Sequence, residues 1–188
     1  MRRAAFRSVL ATILACCGLT YTAWADPPSA SPSHADIKIA LFPFELEDIA
    51  AAAKPGSGPN PTESSFLTKA TEETKQALLN SGRYTVIDAS GVDAGAAANH
   101  ELRNCHGCEA AIANQLGADQ ALVGVILRPE MVEYGVKIWI TDAKTGRSVA
   151  AYALRLSLGG PESWPSGVRT VMRRLMAPAQ TSVGTKVP

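Results

Sequence analysis

Several residue types and motifs that mark common functional sites are scarce or missing in this chain. Its 188 residues include four cysteines and only 6% aromatic residues, and 18 lysines and arginines are nearly matched by 17 acidic residues. Without an excess of positive charge, the sequence predicts neither a basic surface for nucleic acid nor a polybasic patch for a membrane. Phosphate-binding glycine motifs and the G-x-S-x-G serine motif are missing as well. The sequence therefore carries no motif for a particular reaction.

The chain also lacks an apolar run long enough for a permanent membrane helix, and the run near the N-terminus is too short as well. It extends from Val9 to about Leu19, follows arginines at positions 2, 3 and 7, and precedes Ala23-Trp24-Ala25. This order predicts a Sec-type signal peptide over residues 1–25, cleaved after Ala25, and hence a periplasmic protein. Removal of those three arginines lowers the net charge from +1 to about −2.

A lipid anchor is the alternative to a freely exported protein. Leu14-Ala15-Cys16 partly matches a lipoprotein processing site. Processing there would leave a lipidated Cys16 as the N-terminus and hold the protein at a membrane face.

The remaining chain is long enough for one domain with its own core. Residues 26–36 are rich in proline and serine and predict a disordered tether, whereas residues 177–188 predict a flexible tail. Between them, residues 37–176 predict a single α+β domain. Its predicted order is β-α-β-α-β-β-β-α, with a mixed sheet that helices cover mainly on one face.

The alternation of strand and helix signals supports this order. Strands are predicted where apolar runs or period-two alternation occur, at 37–44, 84–88, 120–127, 132–141 and 148–158. Helices are predicted where apolar residues recur at helical spacing, at 61–81, 109–116 and 161–176. For the first helix, Asn60 and Glu63 have capping-box spacing, and Gly82 can end it in a left-handed conformation. Asp142 to Gly146 predicts a hairpin turn.

Cys105 and Cys108 are the cysteines that remain after the signal is removed, and they open a predicted helix as C-x-x-C. In an oxidising compartment this pair predicts a structural disulfide. A thiol-redox pair is an alternative, with Cys105 as the attacking thiol and Cys108 as the resolving thiol. Haem attachment is excluded because Glu109, and not histidine, follows the second cysteine. No cofactor is expected.

Metal binding is the second alternative for this segment. His100, Cys105, His106 and Cys108 offer four borderline or soft ligands. The sequence has no second C-x-x-C or spaced histidine pair that would complete a standard zinc frame.

Two further groups have both a functional and a structural interpretation. Glu45, Glu47 and Asp48 could form an acid pair or a cation site, but a solvated loop is the favoured interpretation. Tyr134 and Trp139 could form part of a partner-binding patch, but packing beneath a helix is favoured.

The segment from Cys105 to Ile126 reads C-x-x-C-E-A-A-I-A-x-x-L-G-A-D-x-x-L-V-G-V-I, and alternating strands flank D-A-K-T-G-R after it. With the opening I-A-L-F-P-F and the later R-Y-T-V-I-D, this pattern resembles a family of exported bacterial proteins of unknown function. It is more distantly similar to the small periplasmic domain shared by the N-terminal part of TolB and the curli lipoprotein CsgG. The resemblance implies a non-enzymatic interaction or assembly module whose partner is an envelope protein. It implies neither catalytic residues nor an oligomeric state.

Overall fold

The computed structural model describes most of the predicted domain. The described residues are 36–49, 58–92, 101–130, 133–157 and 159–177. The predicted signal peptide with its cleavage site at Ala25 lies outside them, and so do the alternative anchor Cys16 and the candidate ligand His100.

Six strands and three helices make up the described part of the chain. The strands are β1 (Ile37–Leu41), β2 (Glu45–Asp48), β3 (Tyr84–Asp88), β4 (Gln120–Glu130), β5 (Glu133–Asp142) and β6 (Ser148–Ser157). The helices are α1 (Pro61–Asn80), α2 (Cys108–Gln115) and α3 (Trp164–Met176). Short 3-10 turns at Leu102–Asn104 and Pro161–Ser163 lead into α2 and α3.

The strands form one mixed sheet in the order β3-β1-β4-β5-β6, and β2 also pairs with β4. The pairs of β1 with β3, β1 with β4 and β2 with β4 are parallel, whereas β4, β5 and β6 form an antiparallel meander. A mixed sheet of this kind with flanking helices is an α+β fold, as predicted. The hairpin between β5 and β6 turns where the sequence predicts it, with Gly146 at φ +68°.

The two faces of the sheet are covered unequally. Side chains from α1 and α3 pack on one face with Ile39, Leu122 and Ile138. The opposite face carries Ala121 and Val123 and is covered by the shorter α2. The alternation of β4 residues between these two cores follows from the period of two along a strand.

The start and end of α1 are encoded locally. The Asn60 side chain accepts a hydrogen bond from the Glu63 amide at 2.9 Å, and the Glu63 carboxylate accepts one from the Asn60 amide at 2.9 Å. This reciprocal pair is the capping box predicted from the spacing. Gly82, at φ +64°, follows the helix in the left-handed conformation that glycine adopts readily.

The segment after β1 differs from its prediction. The predicted strand over 37–44 ends at Leu41, and β2 begins at Glu45, where a solvated acidic loop was expected. That expectation was wrong, because Glu45 is only 2% exposed. The extra strand forms because β4 is long enough to pair with β1 at Gln120–Leu122 and then with β2 at Val125–Arg128.

Candidate functional site

Cys105 and Cys108 are joined by a disulfide between the 3-10 turn and the start of α2. Their Cα atoms are 5.5 Å apart. The two residues between them have positive φ angles, +51° at His106 and +111° at Gly107, and these bring the chain back sharply enough for the ring to close. Both cysteines are half-buried against the α2 side of the sheet. The bridge therefore fixes the entry of the chain into α2.

Glu109, directly after the second cysteine, is a buried carboxylate beside the bridge. One of its oxygens accepts hydrogen bonds from the Trp139 indole at 3.3 Å and the Thr141 hydroxyl at 3.1 Å. The other lies 3.6 Å from Cys105 Sγ. These contacts connect α2 to β5. Trp139 is a packed side chain with an internal partner, as the structural interpretation predicted, and buried Tyr134 packs against Trp164 with ring centroids 5.6 Å apart.

Glu45 holds the 3-10 turn that precedes the bridge. Its carboxylate accepts hydrogen bonds from the Leu102 amide at 2.7 Å and the Arg103 amide at 3.3 Å. The Arg103 guanidinium also pairs with it at 2.8 Å. These three hydrogen-bond donors replace the water that the carboxylate loses on burial, and they stabilise it there. Glu45 thereby connects β2 to the cysteine segment.

Arg128 forms a second internal charge cluster at the end of β4. Its guanidinium pairs with both Asp48 of β2 and Glu63 of α1. The hydrogen bond to Asp48 raises the pKa of Arg128 above its usual value, Glu63 adds to this effect, and burial opposes it. The cluster fastens the start of α1 to the sheet.

The metal alternative is only partly assembled by the fold. Within the described residues, the close group of potential ligands is Cys105, Cys108 and Glu109, whose ligand atoms lie within 4.8 Å of one another. His106 is exposed and is not part of that group. The two sulfur atoms are bonded to each other and in this state are not thiolate ligands.

The sequence pattern located the cysteines but not the charged residues that form the internal hydrogen bonds and ion pairs. Glu109, Arg103 and Arg128 were not candidates, and their partners lie 30 to 80 positions away. One signal in the sequence could have indicated these residues: a charged residue inside or directly beside an apolar segment. Arg128, which follows the segment Q-A-L-V-G-V-I-L, is an example.

A groove with a volume of about 900 Å³ lies between α1 and α3. Its floor includes the half-buried residues Ala77 and Met176, next to the fully buried Met172. Its rim carries Arg83, Arg169, Arg173 and Glu73. Pockets of this volume are typical of ligand-binding and docking sites. The groove is thus a concave surface outside the disulfide region.

A second concavity of about 670 Å³ lies where β1 and β3 end. Leu41, Leu67 and Val86 contribute its apolar surface, and Lys75 and Asp88 lie at its edge as an ion pair at 3.8 Å. The Ser90 side chain and amide, through hydrogen bonds to the Asp88 carboxylate, lower the pKa of Asp88, and Lys75 contributes in the same direction.

Among the helices of the described residues, none has the length and apolar character needed to cross a membrane.

Comparisons with known proteins identify a family and a set of similar structures. A family model, DUF3280, described as "Protein of unknown function (DUF2380)", matches residues 37–176. A comparison with curated proteins finds no match. The match confirms the predicted resemblance to a family of unknown function, and TolB is among the similar structures.

Three of those structures illustrate the range. A PelC dodecamer from Paraburkholderia phytofirmans is 16% identical, with a TM-score of 0.47 over 76% of this chain and 90% of that one. TolB from Acinetobacter baumannii is 16% identical, with a TM-score of 0.45 over 76% of this chain and 28% of that one. The LpoB C-terminal domain from Escherichia coli is 15% identical, with a TM-score of 0.42 over 68% of this chain and 87% of that one.

Proposed function

Since the chain belongs to the DUF3280 family, whose description assigns no activity, we propose a role from its own geometry: it is an exported, non-enzymatic module that binds another protein of the cell envelope. The observation that carries this proposal is the open groove between α1 and α3. The buried carboxylates of Glu45, Glu63 and Glu109 support it, because each is held by internal partners. These groups serve the fold, whereas the groove faces outward.

In this proposal the Cys105–Cys108 bridge is structural. The Glu109 carboxylate beside the bridge supports that role, because its hydrogen bonds to Trp139 and Thr141 hold this segment against β5. The bridge closes only a small loop, and its main effect is to fix the start of α2.

Site-specific photo-crosslinking tests the binding role. Photoreactive residues are placed at exposed Gln76 and Ser166 on the groove, and at exposed Thr85 and Lys144 as controls elsewhere. We expect crosslinks in envelope fractions from the groove positions and none from the controls. Equal yields from all four positions, or none from any, would reject the groove as the binding surface.

The proposed location is tested separately. The residue pattern before Ala25 predicts that the periplasmic form begins at Asp26, which N-terminal sequencing of that fraction would detect. A lipid-modified Cys16 at the N-terminus would replace this proposal with membrane anchoring.

A thiol-redox function is the second candidate, because the C-x-x-C pair lies at the N-terminus of α2, where helix dipoles favour thiolates. Equilibration with glutathione separates the candidates. A structural bridge has a potential well below those of exchange catalysts. Under the redox candidate, the potential is near theirs and Cys108→Ser traps mixed disulfides with other proteins. Stoichiometric metal with both thiols free would favour the metal alternative over both.

A further inference from the structure

We propose that the groove between α1 and α3 binds an acidic segment of its protein partner, an inference that rests on the proposed binding function. Three arginines and one glutamate on the rim, Arg83, Arg169, Arg173 and Glu73, give it a net charge of +2. The whole chain, by contrast, has a net charge of only +1. Positive charge is therefore concentrated at this groove.

Most of this charge is not neutralised inside the protein. Glu73 pairs with Arg169. Arg83 contacts the carbonyl oxygen and sulfur of Met176, and Arg173 donates to the Thr170 hydroxyl at 3.3 Å. Within the described residues, no carboxylate pairs with Arg83 or Arg173.

The partial negative charges at the helix C-termini offset only part of the positive charge of the groove. The C-terminal residues of both α1 and α3, Asn80 and Met176, line the groove. Each helix C-terminus carries roughly half a negative charge, so the two together offset about one of the two positive charges. About one unit of positive charge is left for a partner, and Arg173 is exposed enough to reach it.

The floor of the groove defines the rest of the partner's chemistry. Met176 is half-buried, and its flexible, polarisable side chain can adapt to apolar groups of different shapes. Ala77 is the other half-buried apolar residue of the floor. A partner that satisfies both features presents carboxylates to the rim and at least one apolar side chain to the floor. A volume of about 900 Å³ accommodates a short peptide segment and not a folded domain.

Peptide binding to the full chain tests this chemistry. The probe is a fluorescein-labelled twelve-residue peptide with four glutamates and two leucines, and its control carries glutamine in place of each glutamate. We expect the glutamate peptide to bind more tightly and to weaken as salt is raised. Arg173→Gln should weaken binding about two- to fivefold, the range expected for one exposed ion pair. Arg147→Gln, at an exposed arginine of the β5–β6 turn, should leave it unchanged.

The outcomes separate this proposal from the one it rests on. Equal binding of the two peptides, or equal losses in the Arg173 and Arg147 variants, would overturn the acidic partner. If groove crosslinks persist in that case, the binding function stands with a different partner chemistry. A third arm uses phosphatidylglycerol vesicles. Tighter binding to these vesicles than to the peptide, with the same dependence on Arg173, would assign the groove to a membrane surface and overturn the proposal.

Discussion

At the scale of single residues, Asp142 shows how a short turn depends on one carboxylate. It accepts hydrogen bonds from the Thr145 hydroxyl and amide at 2.8 Å each, and from the Lys144 amide at 3.1 Å. The Thr145 side chain is the largest cause of a lowered pKa at Asp142, and the Thr145 amide is the next.

The pH dependence of this turn follows from the direction of that shift. A lowered pKa means that the ionised group stabilises the fold above its unfolded value near 3.8, and that this contribution is lost as the pH falls through the lower folded value. We expect the Asp142 carboxyl carbon to titrate in NMR spectra with a midpoint below 3.8. Thr145→Ala should move the midpoint upward, and an unchanged midpoint would contradict the assigned cause.

Gly124 is the residue at which β4 has no room for a side chain. A Cβ atom there would lie 2.2 Å from the Phe44 ring. We expect Gly124→Ala to lower the free energy of unfolding by about 1–3 kcal/mol, as overpacking does. Gly135→Ala in β5 is the matched control, because its Cβ would meet its nearest atoms at 3.5 Å, an ordinary contact. Chemical denaturation of both variants measures the difference, and similar losses would show that Phe44 moves aside.

At the scale of elements, α1 is the clearest case of a helix with local start and stop signals. Asn60→Ala removes one half of the capping box, and we expect a loss of about 1 kcal/mol in the free energy of unfolding. Asn80→Ala, at the exposed last residue of α1, should change it little. Urea denaturation of the two variants provides the comparison, and an unaffected Asn60 variant would mean that Arg128 alone holds the start of α1.

Elements with local signals could be predicted, and those that depend on distant partners could not. The bounds of α1 followed from its capping residues, and β3 was predicted at 84–88 from its apolar run. In contrast, E-L-E-D at 45–48 has the composition of a loop. It becomes β2 because β4 offers a free edge and because Leu102, Arg103 and Arg128 supply donors to its carboxylates. No pattern within those four residues encodes that pairing.

The same distinction applies to the candidate site. The C-x-x-C pair could be recognised from the sequence because its two cysteines are three positions apart, and the structure joins them by a disulfide. The role of Glu109 as an acceptor for Trp139 and Thr141 depends on β5 packing against α2, a tertiary contact. The groove likewise depends on the packing of α1 beside α3, whose nearest ends, Asn80 and Trp164, are 84 positions apart in the chain.

At the scale of the whole molecule, Glu45 connects the N-terminal and central parts of the chain. Glu45→Ala would leave the buried Leu102 amide without its acceptor and Arg103 without this carboxylate. We expect a loss of about 1–3 kcal/mol in the free energy of unfolding, the cost of unsatisfied buried groups. Hydrogen exchange should also accelerate around residues 101–108.

Glu47→Ala on the same strand is the matched control, because Glu47 is more exposed and is not one of the buried carboxylates. If the two variants lose the same stability, β2 contributes through its backbone and the Glu45 contacts are dispensable.

The central position of β4 determines when the sheet can form, because β1 and β2 both pair with it. Under the proposed export, the N-terminal part leaves the translocation channel first, so β1, α1 and β3 are available before β4. Until β4 arrives, the inner edges of β1 and β2 remain open to any other extended chain. The emerging chain is therefore most prone to aggregation just before residue 120 appears. A chaperone that delays premature strand pairing would protect that interval.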